Sequence, residues 1–202
     1  FFFKQKTAYE IPKRDWSSDV CSSDLPEVIG KGSSRCAYDL GNDTVLKLAI
    51  NAKGIAQNKV EATVGRDEDV KRIITKVIDM SQDFTWLISE KATPIDRPQF
   101  NNATGWDWYD LGRTITALKK NPDQIDQILA RVPSTTASGG GGCLKGKEFY
   151  VYLMNYLNKY GNVLQADITA KDSWGINKKG CAVLLDYGMS DRIYDEMYAK
   201  RK

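Results

Sequence analysis

Three aspartates in the last third of the chain could share one task. Asp167 lies in "QADITAKDSWG", Asp172 follows five residues later, and Asp186 ends the apolar run "AVLLD" nineteen residues after Asp167. Acids on two loops that flank a hairpin can converge on one point. A hard cation such as Mg²⁺ takes oxygen ligands, typically one or two carboxylates completed by phosphate oxygens. Lys47 lies between apolar neighbours in "VLKLA", and Glu61 lies fourteen residues further on, in a predicted helix, with Glu68 a second-choice acid beyond the helix end expected at Gly65. Gly30, Gly32, Ser33 and Ser34 fall in the turn between two predicted strands. Glycines there let backbone N–H groups approach phosphate oxygens with no Cβ in the way. Each feature alone has a plainer reading: a strand lysine facing solvent, a glutamate on a solvated helix face, or loop aspartates with no common role. Their order along the chain argues for phosphate chemistry.

The elements that must position these residues are legible in outline. "RCAYDL" and "TVLKLAI" read as two strands, and "GND" between them is a strong hairpin signal. A helix is expected over 55–64, then two further strands in "IITKVIDM" and "TWLISEKA", then a connector punctuated by Pro94 and Pro98. The second half changes character. "WDWYDLGRTITALKK", "PDQIDQILARV" and "EFYVYLMNYLNKYG" suggest helices, with Gly161 closing the last and "STTASGGGGCLKG" as a surface loop. A short strand, a turn at "NKKG" and the strand "AVLLD" follow. A strand-rich half before a helix-rich half is an α+β pattern.

Taken in order, "IGKGSSRCAYDLGNDTVLKLA", "WLISEKATPI", "QADITAKDSWG" and "VLLDYG" resemble the protein-kinase-like superfamily, whose catalytic loop and D-F-G motif follow a glycine loop, a strand lysine and a helix glutamate. The likeness covers residues 26–190 and is greatest to small kinase-like proteins of bacteriophage and bacterial genomes. It implies a two-lobed fold, with a small antiparallel sheet over 26–93 and a reduced helical lobe over 94–202. It implies ATP and Mg²⁺ as cofactors and phosphoryl transfer to a protein or small-molecule acceptor. In that scheme Lys47 grips phosphate, Glu61 orients Lys47, and Asp167 acts as base or positioning acid. Asp172 and Asp186 would ligate the metal, Gly30, Gly32, Ser33 and Ser34 would line the phosphates, and Glu90 would sit where the backbone meets the base. The alternative is a pseudokinase that binds nucleotide or serves as a scaffold. The departures are specific: Arg35 stands at the third glycine of the loop, Gln165 lies two residues before Asp167, Asp172 replaces an asparagine, and Tyr187 replaces a phenylalanine as the packing residue. Fourteen residues follow Gly188, so neither an activation segment nor peptide-docking helices are expected in this sequence.

Composition sets the boundaries of this reading. Of 202 residues, 42% are hydrophobic and 27% charged, with a net charge of +3, so neither nucleic acid nor a membrane surface is an expected partner. With no histidine, nucleophile systems and zinc sites built on imidazole are excluded. Cys21, Cys36, Cys143 and Cys181 form no C-x-x-C pair, which points to a reduced, cytoplasmic setting, with Cys181 a plain core residue. Residues 1–25 have no helical or strand period and closely resemble translated sequencing-adapter read-through at the ends of metagenomic fragments. They are therefore expected to stand outside the fold. Trp106, Trp108 and Tyr109 are expected to pack rather than to form a substrate platform.

Overall fold

The structure, a computed structural model, describes residues 26–120, 130, 142–160, 168–170 and 172–199. It is α+β. Five strands, β1 (Val28–Lys31), β2 (Arg35–Gly41), β3 (Thr44–Ala49), β4 (Val77–Met80) and β5 (Trp86–Glu90), form one antiparallel sheet in the order β1-β2-β3-β5-β4. The expected hairpin turn is present: Asn42 and Asp43 both take positive φ, 49° and 58°, which short polar side chains tolerate. Lys47 is therefore on a central strand, paired with Ala37 on one side and Leu87 on the other. The alternation along β3 sends Leu46 and Leu48 to one face, where they cluster with Cys36 and Tyr38. It sends Lys47 to the opposite face.

That second face meets helix α1 (Ala52–Val64), longer at its start than the expected 55–64. Asn51 caps it by accepting from the amides of Lys53 and Gly54. Its buried face is polar: Gln57, Asn58 and Glu61 stack at helical spacing and are at most 4% exposed. Buried polar groups are costly unless paired. Here each is paired, with Ser34, Arg35, Lys47 or the Phe84 carbonyl.

After β5 the chain enters a second sheet, β6 (Ala92–Pro94), β7 (Trp174–Asn177) and β8 (Ala182–Leu184), in that order. The β7–β8 turn is the expected one at "NKKG", closed by Gly180 at φ 78°. "IITKVIDM" is only partly a strand. Ile73 and Ile74 are fully buried in a turn, and the Ile73–Thr75 segment bonds to Leu184 instead. The two Pro residues also misled. Asp96, accepting from Gln99 in a reciprocal capping box, starts helix α2 (Arg97–Thr104) with Pro98 in its first turn, where no amide is missed.

Helices α3 (Trp108–Lys120) and α4 (Gly146–Tyr160) appear where expected, whereas the helix proposed for 122–132, residue 130 apart, and Gly161 lie outside the described residues. The main core joins α2, α3, α4 and β8 with the end of α1 through Phe100, Trp106, Trp108, Phe149, Trp174 and Tyr187. Trp106 and Trp108 are core residues, as expected, while Tyr109 is exposed and packs against Arg97. A short helical segment, Asp191–Ile193 continuing into Tyr194–Tyr198, follows β8. No helix among the described residues is long and apolar enough to cross a membrane.

The cysteines correct the sequence reading. Cys143 and Cys181 form a disulfide across 38 positions, joining the segment before α4 to the start of β8. Cys181 is thus a cross-link and not a plain core residue. A pairing so distant leaves no spacing signature to read, and the argument for a reduced, cytoplasmic setting loses its ground. Cys36 lies outside the disulfide and is buried.

Candidate functional site

The β1–β2 loop, β3, the end of β5, β6 and the residues after β8 enclose a cavity of about 1020 Å³. Gly30, Gly32, Ser33, Ser34, Lys47, Glu90, Asp172 and Asp186 all line it. Glu61 stands behind Lys47 and is fully buried. Asp167 and Gln165 lie outside the described residues.

At the base of the cavity two cations meet two carboxylates. Lys47 Nζ donates to Glu61 Oε2 at 2.6 Å and to the Leu185 carbonyl at 2.6 Å. Arg35 Nη1 donates to Glu61 Oε1 at 2.7 Å and to Asn58 Oδ1 at 3.2 Å. Its Nη2 donates to Asp186 Oδ1 at 2.6 Å. Glu61 is thus shared between Lys47 and Arg35, and Arg35 is shared between Glu61 and Asp186. Glu68, the second choice, instead pairs with Lys71 on the surface. Tyr187 packs beneath the pair, fully buried, with its hydroxyl donating to the Thr75 carbonyl at 2.7 Å and its ring centroid 5.8 Å from Lys47 Nζ.

The electrostatics follow from this ladder of charges. The Asp186 side chain keeps 62% of its surface open to the cavity, yet protein surrounds it. That enclosure would raise its pKa, but the Arg35 and Lys47 charges outweigh it and hold the carboxyl well below the usual range. Burial would lower the pKa of Arg35, and Asp186 and Glu61 reverse this and raise it. Burial, reinforced by the Glu61 charge, holds the Tyr187 hydroxyl neutral.

The loop residues divide. A Cβ on Gly30 would meet nothing nearer than Ala37 Cβ at 3.7 Å, and one on Gly32 nothing nearer than the Arg35 carbonyl at 3.7 Å. Neither glycine has positive φ, so the backbone does not demand them. What they leave open is space above the loop, where a ligand could approach main-chain atoms. Ser34 is buried and structural, its hydroxyl donating to Gln57 Oε1 at 3.0 Å. Ser33 is exposed, and its carbonyl accepts from Asn51. The Glu90 amide is bonded to the Lys76 carbonyl and the Lys91 amide to the Asp43 carbonyl. Thr75 Oγ1 is buried in the cavity wall with no hydrogen-bond partner among the described residues.

Mg²⁺ is the cofactor the aspartates suggested. Asp172 and Asp186 supply hard oxygen donors, but Asp186 Oδ1 is already taken by a guanidinium, and Asp172 is exposed. Among the described residues no cluster of three or more acids, cysteines or histidines could hold a metal. The described residues, with Asp186 Oδ1 engaged by Arg35, do not fit a divalent ion. Sequence reasoning missed Arg35, Asn58 and Gln57 as site residues. Only Arg35 carried a signal, as the charged residue standing where the loop pattern calls for glycine. The sequence matches no protein-family model and no curated protein.

Proposed function

We propose that the cavity is a nucleotide site and that the chain is a phosphotransferase of the protein-kinase-like superfamily. In this reading the five-stranded sheet with α1 is one lobe and the helices with the second sheet are the other. The observation that carries it is the Lys47–Glu61 pair, made between the central strand and the following helix, opposite an aspartate just past a strand end. Phosphoryl transfer asks the protein for position and charge rather than covalent chemistry, and Lys47 and Arg35 supply charge at the base of an open cleft. ATP is the expected donor; the acceptor is a protein or a small molecule. Asp167 is the expected base or positioning acid. A second reading, a nucleotide-binding or scaffold module without turnover, is favoured by the Arg35–Asp186 pair, which engages the acid that would otherwise hold the metal.

The test combines ATP affinity with phosphoryl transfer or ATP hydrolysis in wild type, Lys47→Met and Asp167→Asn. Lys47→Met is expected to abolish ATP binding. Asp167→Asn is expected to spare binding and lower turnover by about two to four powers of ten if the acid is a general base. Binding with no turnover above background in wild type supports the module. No binding at millimolar ATP refutes the phosphotransferase and the nucleotide-binding module and leaves the scaffold.

A further inference from the structure

We propose that Arg35 holds the place of a divalent cation in this cleft, so that a phosphate-bearing ligand binds against Arg35 and Lys47 without a metal ion. The identity of the ligand, a nucleoside polyphosphate, rests on the nucleotide reading above; the exclusion of metal rests on Arg35 alone. Arg35 enters from the second strand, where the loop pattern calls for glycine, and is 8% exposed. Three acceptors hold its fork: Glu61 Oε1, Asn58 Oδ1 and Asp186 Oδ1. A planar guanidinium held this way is locked in orientation, as a flexible ammonium would not be.

The charges at the base of the cavity already balance. Arg35 and Lys47 carry two positive charges and Glu61 and Asp186 two negative ones, with 2.6–2.7 Å between partners. A divalent ion on Asp186 would sit beside a guanidinium bonded to the same carboxylate, with the Lys47 ammonium nearby, and like charges disfavour one another. Of these four groups Glu61 alone does not line the cavity, so a polyphosphate there meets two cations and one carboxylate. It arrives with negative charge at two cations already fixed by packing, and the open space above Gly30 and Gly32 lets it reach them. Thr75 Oγ1 adds a buried polar group with no hydrogen-bond partner among the described residues, in the same cavity wall.

The experiment uses Mn²⁺ as a paramagnetic probe of the full chain, titrated into wild type, Asp186→Asn, Arg35→Gln and the double variant Arg35→Gln/Asp186→Asn. Wild type and Asp186→Asn are expected to bind Mn²⁺ equally poorly. Arg35→Gln is expected to gain one site at least about tenfold tighter, since one opposing charge has gone. The double variant is expected to lose it. An Asp186-dependent Mn²⁺ site in wild type overturns the proposal, and this comparison stands even if Arg35→Gln does not fold. A folded Arg35→Gln that gains no site also overturns it. ATP affinity in wild type is then measured with EDTA and with Mg²⁺. Equal affinity within about threefold is expected, and tightening by Mg²⁺ of about tenfold or more, worth about 1.4 kcal/mol, overturns the proposal. Failure to bind ATP under either condition instead sinks the nucleotide reading, while the Mn²⁺ titrations still decide the role of Arg35.

Discussion

Glu61→Gln separates a functional charge cluster from an incidental one. Glu61 is fully buried and accepts from Lys47 at 2.6 Å and Arg35 at 2.7 Å. Glutamine keeps the volume but removes the negative charge, and its amide can accept from only one cation while its NH₂ faces the other. Arg35 retains Asp186 and Asn58, whereas Lys47 retains, among the described residues, the Leu185 carbonyl and the Tyr187 ring but no carboxylate. The orphan is therefore Lys47. Breaking a buried pair on one side costs about 3–5 kcal/mol, a large part of the roughly 5–15 kcal/mol that holds a typical domain. Removing the orphan as well, in Lys47→Met/Glu61→Gln, is expected to return about 1 kcal/mol or more, within the range of coupling seen between contacting residues. Equilibrium urea unfolding of wild type, both single variants and the double variant measures this directly, provided the slope with denaturant is unchanged. If Glu61→Gln moves stability by no more than about 0.5 kcal/mol, as a surface change would, the cluster does not exist as described. Strict additivity of the two single changes would refute the assignment of Lys47 as the orphan.

Gly54→Ala is expected to destabilise, although alanine in a helix is normally favoured over glycine by about 1 kcal/mol. The new Cβ would lie 2.1 Å from the Ser34 carbonyl and 3.0 Å from Ala49. A lowered melting temperature is the expected outcome; an unchanged or raised one contradicts this packing of α1 on the loop. The Arg35–Asp186 pair also sets a pH dependence. The folded-state pKa of Asp186 is depressed, so its contribution is complete above the unfolded value of about 3.9 and is lost as pH falls through the lower folded value. Acid unfolding curves below about pH 4 should therefore fall less steeply for Asp186→Asn than for wild type, and parallel curves would show that the pair contributes nothing. Opening the 38-residue loop by changing Cys143 and Cys181 to serine should cost up to about 4 kcal/mol on the chain-entropy account, read as a drop in urea midpoint. No difference from wild type would show that the cross-link adds no stability.

Much of the first sheet was legible because its signals are local. Asn42 and Asp43 announce a two-residue turn, that turn sets the register of β2 on β3, and the register places Lys47 opposite Ala37. The link from Lys47 to Glu61 spans one strand end and two helical turns, and it was expected from the kinase-like resemblance, with which their spacing agrees. Helix α2 was hidden because Pro98 reads as a breaker unless the capping pair Asp96 and Gln99 is weighed with it. The Arg35–Asp186 contact crosses 151 positions, and no local pattern encodes such an encounter. Gln57 and Asn58 were invisible for a related reason. Polar residues on a helix read as its solvated face, and only tertiary packing turns that face inward.

The passage between the two sheets is a joint one residue long. Glu90 ends β5 and Ala92 begins β6, and both flanking strands are hydrogen-bonded into different sheets. Lys91 alone separates them, with its amide bonded to the Asp43 carbonyl at 2.8 Å and its ammonium paired with Asp39. A swinging linker needs slack, and this one has none. Any opening of the cleft must strain the φ and ψ of Lys91 and its tether to the β2–β3 turn, together with the bonds that Ile73 and Thr75 make with Leu184. The chain here is also intolerant of length change, since one inserted residue would turn every side chain of β6 to the opposite face of its sheet. The aperture of the cleft is thereby coupled to the turn at Asn42 and Asp43, far along the sheet from the charges at its base.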